Sequence, residues 1–120
     1  MAALERRMTS IRYYSVLIFA IAISACGTSA IDQCNEAQTR SCTVIEGSCG
    51  AYYDAVDNLA RSKTDCGAQA DAYESCAVEQ DACGIDAACG SQENRLTSCV
   101  GPYCLSNSSD PDCVYIRDHT

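Results

Sequence analysis

The chain has 120 residues, of which 11 are cysteines, with 16 acidic against 8 basic side chains and a formal charge of −8. Such a surface repels the phosphate backbone of nucleic acids, so we exclude nucleic-acid binding from the expected functions. Tryptophan is absent and large apolar side chains are few, so the domain needs disulfides to supplement a thin core. Because the number of cysteines is odd, one of them stays outside any fully paired framework.

The first 25 residues have the parts of a secretory signal. Arg6, Arg7 and Arg12 form a basic region, and residues 16–23 are an uninterrupted apolar stretch. A membrane-spanning helix needs about 20 apolar residues, so this stretch is too short for an ordinary anchor. We therefore predict that residues 1–25 are a signal peptide.

The apolar stretch ends in the tetrapeptide Ile23-Ser24-Ala25-Cys26. This tetrapeptide resembles the lipobox of bacterial lipoprotein signals, in which a branched apolar residue and two small residues precede a cysteine. The resemblance implies that Cys26 receives a thioether-linked diacylglycerol and that the chain is cleaved between Ala25 and Cys26. It further implies a membrane attachment through this lipid at the bacterial cell envelope, on the outer membrane or the cell surface. Residues 26–33 would then be the lipidated cysteine and a short tether.

The same segment has a second interpretation, which is ordinary secretion. Thr28-Ser29-Ala30 approximates a small-x-small cleavage site, and cleavage after Ala30 would release a secreted, disulfide-rich binding or inhibitor-like domain. Either route removes Cys26 from the disulfide pool and leaves ten cysteines, so their number does not separate the two. Labelling with fatty acid separates the two routes, because the label is attached to the protein only if it is a lipoprotein.

The ten remaining cysteines define a cysteine-rich helical domain over residues 34–113. We expect all of them to form disulfides: Cys34, Cys42, Cys49, Cys66, Cys76, Cys83, Cys89, Cys99, Cys104 and Cys113. No two are spaced as C-x-x-C, which argues against a redox pair or a zinc knuckle. The single histidine, His119, lies near the C-terminus, so we expect no metal site and no cofactor. Counting alone leaves the connectivity open.

Abundant alanine and few β-branched residues predict an all-α fold, a small disulfide-stapled bundle of three to four short helices. In chain order, we expect helices over residues 31–42, over residues 49–61, from a cap at Thr64 or Asp65 through residue 77, and from a cap at Ser91 to a stop at Gly101-Pro102. A loop over residues 107–111 and a C-terminal tail over residues 114–120 complete the prediction.

Two C-x9-C spacings stand side by side, Cys66/Cys76 and Cys89/Cys99. They are similar to the twin C-x9-C helical hairpin of mitochondrial intermembrane-space proteins, in which the outer cysteines pair with each other and so do the inner ones. As an analogy of geometry, the resemblance implies the bonds Cys66–Cys99 and Cys76–Cys89 across two antiparallel helices. Cys83 in the connecting loop departs from that pattern.

Residues that carry chemistry are scarce. One histidine near the chain end does not assemble a Ser-His-Asp set, and no glycine-rich phosphate loop occurs, so we expect no enzymatic activity. Tyr52, Tyr53, Tyr73 and Tyr103 are candidates for a binding face, although in a domain so poor in aromatics we favour them as core. The expected function is a structural or partner-binding module, with a protein partner that the sequence does not identify.

Overall fold

The computed structural model describes residues 29–120, and the lipobox with Cys26 lies outside them. Helices account for the regular structure of this part: α1 (Ala30–Thr39), α2 (Cys49–Asp57), α3 (Gly67–Val78), α4 (Ile85–Ser106) and α5 (Pro111–Asp118). The predicted all-α class is confirmed. Five helices are present where three to four were expected.

Five disulfides join the ten cysteines of the described part: Cys34–Cys49, Cys42–Cys83, Cys66–Cys99, Cys76–Cys89 and Cys104–Cys113. The third and fourth bonds are those that the twin C-x9-C resemblance implies, and they hold α3 and α4 antiparallel. Bonds in this number indicate an extracytoplasmic, oxidising compartment, since cytosolic thiols are kept reduced.

Two serines bound α1. Ser29 forms a capping box with Asp32: its hydroxyl accepts a hydrogen bond from the Asp32 amide at 3.1 Å, and its own amide donates to the Asp32 carboxylate at 3.3 Å. At the other end Ser41 has a φ of 54°. The Cys42 amide there donates to the Ala37 carbonyl at 2.9 Å, which closes a Schellman turn. The helix therefore ends before residue 42, three residues earlier than predicted.

A wider turn ends the second helix. Beyond Asp57 the chain continues as a π-helical segment, Asn58–Lys63, in which one turn holds an extra residue. The Thr64 hydroxyl donates to the Leu59 carbonyl at 2.6 Å and so satisfies an orphan acceptor of the last turn. In this segment Leu59 and Ala60 are adjacent and both fully buried.

The long helix α4 differs from the prediction at both ends. Ser91, predicted to be its cap, lies inside the helix, which starts at Ile85 because Ile85 and Cys89 pack against Ala77 of α3. Gly101-Pro102 does not stop it either. Pro102 removes one backbone donor, yet the helix runs on to Ser106, and Cys104 in its last turn is bonded to α5.

Residues 111–118 form α5, so most of the segment predicted as a C-terminal tail is helical. The Asp110 side chain accepts a hydrogen bond from the Asp112 amide, and Pro111 occupies the first helical turn. At the far end the Glu46 amide donates to the His119 carbonyl at 2.8 Å, which ties α5 to the loop between α1 and α2.

The core consists of three small clusters rather than one large one. The first joins α1 to α2, the second joins the π-helical segment to α3 and α4, and the third lies between α3 and α4. Tyr73 packs against all three. Each cluster contains at least one buried half-cystine, so the disulfides are part of the core rather than an addition to it.

Candidate functional site

A cleft lies between α2 and α4. Two adjoining cavities of about 300 and 290 Å³ form it and share six lining residues: Tyr52, Tyr53, Tyr73, Glu93, Thr97 and Ile116. The α5 cavity, as we call the first, extends to Val100 and Arg117. The loop cavity, the second, extends to Ile45 and Asp86. We name the whole the tyrosine cleft.

Two faces of α4, about a quarter-turn apart, explain how the cleft is positioned. One face carries Cys89 and Cys99, which the disulfides bind to α3. The adjacent face carries the cleft residues Asp86, Glu93 and Thr97, which recur at intervals of four and seven residues. The bonds on one face therefore fix the direction in which the other points.

The three tyrosines are partly core and partly wall. Tyr53 is only 4% exposed, and the rings of Tyr52 and Tyr53 meet edge-to-face with centroids 5.6 Å apart. Burial, followed by the nearby Tyr73 and Glu93, raises the pKa of Tyr52 to about 12. Burial likewise raises the pKa of Tyr53 and of Tyr73. The raised pKa values show that these three side chains are withdrawn from solvent, and Tyr53 and Tyr73 interact through their hydroxyls.

The charged groups of the cleft are unevenly placed. Asp86 and Glu93 border the loop cavity, which no lysine or arginine lines. Arg117 borders the α5 cavity and pairs with Asp118 at 3.3 Å. Burial, followed by the Asp86 charge, raises the pKa of Glu93. Within residues 29–120 neither Asp86 nor Glu93 makes an ion pair.

Of the tyrosines singled out in the sequence, three come together and one does not. Tyr52, Tyr53 and Tyr73 line the cleft while also packing on the core, as favoured. Tyr103 lies apart and donates a hydrogen bond to the Asp110 carboxylate at 2.8 Å. His119 stacks on Tyr115 with ring centroids 3.9 Å apart, outside the cleft.

The acidic residues of the cleft were missed in the sequence. The predicted helix begins at Ser91 and so excludes Asp86, which in the structure lies on the same face of α4 as Glu93 and Thr97. The spacing of these residues together with Val100 would have revealed the face, had the helix been extended back to Ile85.

No cluster of three or more histidine, cysteine or carboxylate side chains suited to a metal ion occurs in residues 29–120. In that same part of the chain, no helix has the length and apolar character needed to cross a membrane.

No protein-family model, curated protein or solved structure matches this chain. The class that the fold and its bonds define is a small, cysteine-rich, disulfide-stapled helical domain.

Proposed function

We propose that the protein is a lipid-anchored binding module of the bacterial cell envelope, attached through Cys26. The tyrosine cleft would receive its ligand. The observation that carries the binding role is this cleft, whose volume reaches the range of small-molecule sites and whose walls combine aromatic rings with a few polar groups. A role in binding rather than catalysis is part of the proposal.

Two observations support the anchor. The lipobox begins at Ile23, the last residue of the apolar run, and only Ser24 and Ala25 separate that run from Cys26. In addition, the ten cysteines from Cys34 to Cys113 pair among themselves, so none of them needs Cys26 as a disulfide partner. Cys26 therefore stays outside the disulfide framework, as lipid attachment requires and as secretion after Ala30 would also allow.

The start of α1 favours cleavage before Cys26 over cleavage after Ala30. Ser29 caps the helix, and Ala30 is 9% exposed within the first core cluster. Cleavage after Ala30 would remove both residues, at a cost of about 0.5–2 kcal/mol for the cap alone. It would also place a positively charged amino group at the helix N-terminus, where the helix dipole disfavours it.

Fatty-acid labelling tests the anchor. In a producing bacterium, alkyne-tagged palmitate should label the wild-type protein, whose mature mass should begin at Cys26. Cys26→Ser should abolish the label, whereas Ser24→Ala, which keeps a small residue in the lipobox, should retain it. An unlabelled wild-type chain that begins at Ile31 would instead establish secretion.

A neutral apolar probe tests the cleft. We expect 4-phenylbutan-1-ol to shift the NMR signals of Tyr52, Tyr73 and Thr97 in the oxidised mature chain, exported behind a non-lipoprotein signal. Thr97→Trp should fill the cleft and block binding. Ser98→Trp, on the neighbouring exposed position of α4 outside the cleft, is the matched control. A probe that binds Thr97→Trp as well as wild type would contradict the binding role of the cleft.

A further inference from the structure

We propose that the ligand of the tyrosine cleft is a small organic cation, an apolar body that carries one ammonium group. The inference rests on the proposed binding role of the cleft and is independent of the lipid anchor. Charge and aromatic character, both properties of the cleft walls, argue for it.

The first argument is the charge of the loop cavity. The charged side chains that line it are Asp86 and Glu93, both acidic and without an ion-pair partner in residues 29–120. They lie seven residues apart on one helix face, about 10 Å along the axis. Both carboxylates are exposed at the rim of this partly enclosed cavity, where they attract a cation and repel an anion.

The second argument is aromatic. Tyr52, Tyr53 and Tyr73 line the same cavity, and the face of an aromatic ring attracts a cation. Burial is the main cause of the raised pKa of Tyr52 and of Tyr73, and the Glu93 charge adds to it in both, so this carboxylate lies near both side chains. An ammonium group in the loop cavity would meet tyrosine side chains and a carboxylate together.

The far end of the cleft sets the orientation of the ligand. Arg117 at the α5 cavity repels an ammonium group, whereas Leu96 and Val100 beside it offer apolar surface. The ammonium would therefore lie toward Asp86 and the apolar body toward Val100. Each cavity, near 300 Å³, suits a small molecule rather than a folded partner.

Three probes of matched shape test the inference by isothermal titration calorimetry on the oxidised mature chain. We expect 4-phenylbutylammonium to bind about tenfold more tightly than 4-phenylbutan-1-ol, and 4-phenylbutyrate to bind more weakly than both. Glu93→Gln and Asp86→Asn should each weaken the cation by roughly 3- to 10-fold and leave the alcohol unchanged. Asp54→Asn, an exposed position of α2 outside the cleft, should change neither.

The outcomes separate the cation proposal from the binding role of the cleft. Equal binding of cation and alcohol, or an unchanged cation affinity in Glu93→Gln and Asp86→Asn, overturns the cation while the proposed binding role survives. Binding by none of the three probes overturns both. If Nα-acetyl-lysine methylamide binds as tightly as 4-phenylbutylammonium, the cleft binds a lysine side chain of a protein partner, and the proposal of a small-molecule ligand is wrong. Unchanged helical circular dichroism shows that each variant is folded.

Discussion

Glu74 of α3 and Asp57 of α2 approach the same guanidinium: Arg61 Nη2 lies 3.3 Å from Glu74 Oε2, and Arg61 Nε lies 3.5 Å from Asp57 Oδ1. The Oδ1 atom of Asp57 is buried and has no hydrogen-bond donor among the described residues, because the Arg61 Nε atom, at 3.5 Å, is too distant for a hydrogen bond. Burial, followed by the hydrogen bond and charge of Asp57, raises the pKa of Glu74 to about 7. Protonated Glu74 therefore stabilises the α2–α3 interface.

The stability of the domain should fall as the pH rises from about 4.5 to about 7. The pKa of Glu74 is higher in the folded chain than its ordinary value of 4.5, so the folded state binds the proton more tightly than the unfolded state does. The contribution is complete below the ordinary value and is lost as the pH passes the folded value. Two further charges affect the pKa of Glu74: the Arg61 charge lowers it and the Asp71 charge raises it.

Glu74→Gln should remove this pH dependence, because the amide donates a hydrogen bond to Asp57 at every pH. At pH 8 the variant should be more stable than wild type by roughly 1–2 kcal/mol. The gain is no larger because solvent partly screens the Glu74 carboxylate. Urea unfolding followed by circular dichroism at pH 5 and pH 8 measures it. Glu36→Gln on the exposed surface of α1 is the control, and an equal effect there would contradict the prediction.

Lys63 should stabilise the domain more than any exposed ion pair does. Its Nζ atom lies 2.7 Å from Asp110 Oδ1 and 2.7 Å from Asp112 Oδ2. The Lys63 hydrogen bond holds the pKa of Asp110 at about 2, below its ordinary value of 3.8. This contribution is present above the ordinary value and is lost as the pH falls through about 2. Lys63→Met should therefore lower the urea midpoint at pH 7.

Arg40→Met is the matched control for Lys63→Met. The Arg40–Asp81 pair is well exposed, at 44% and 64% for the two side chains, and such pairs contribute little. Equal losses in the two variants at pH 7 would show that the Lys63 cluster does not secure α5.

Ser41→Gly should stabilise the protein. Ser41 has a left-handed φ of 54° at the C-terminus of α1, where glycine is favoured because it has no side chain to strain. We expect a gain of about 0.5–1 kcal/mol in the free energy of unfolding. Ser75→Gly in the exposed interior of α3 should lose a comparable amount because of helix propensity. A loss in both variants would contradict the turn assigned to Ser41.

Reduction should unfold the domain without denaturant. Full reduction of the five bonds should raise the intact mass by about 10 Da and abolish most of the helical circular dichroism, and zinc should not restore it. Removing Cys66–Cys99 should cost about 3–4 kcal/mol, against about 2–3 kcal/mol for Cys104–Cys113, because the first closes a longer loop. A reduced chain that stays helical would show that the apolar clusters suffice.

Local signals predicted four of the five helices of the described residues, and tertiary contacts decided where several of them begin or end. The Cys49–Asp57 helix follows from its apolar spacing. Gly101-Pro102 is a valid local stop signal, yet α4 continues through it, with Cys104 in its last turn bonded to α5. That long-range bond cannot be read from neighbouring residues. By contrast, the start of α5 does have a local signal, since Asp110 is a helix cap and Pro111 suits the first helical turn.

The candidate site was harder to predict than the fold. Tyr52, Tyr53 and Tyr73 could be singled out as aromatics, but their meeting depends on how α2 and α3 cross. Glu93 lies beside these tyrosines because two disulfides fix which face of α4 is turned toward the cleft. The twin C-x9-C resemblance implies these two bonds, but it does not imply that α4 starts at Ile85, and the place of Asp86 on the cleft face depends on that start.

The order of the disulfides along the chain decides whether a single cut in the backbone releases a fragment. The spans of Cys34–Cys49, Cys42–Cys83 and Cys66–Cys99 overlap in succession, so a single protease cut between residues 34 and 99 releases no fragment. Between Cys99 and Cys104 no bridge of the described chain crosses. A cut there would free α5, and with it one wall of the cleft, as a separate peptide.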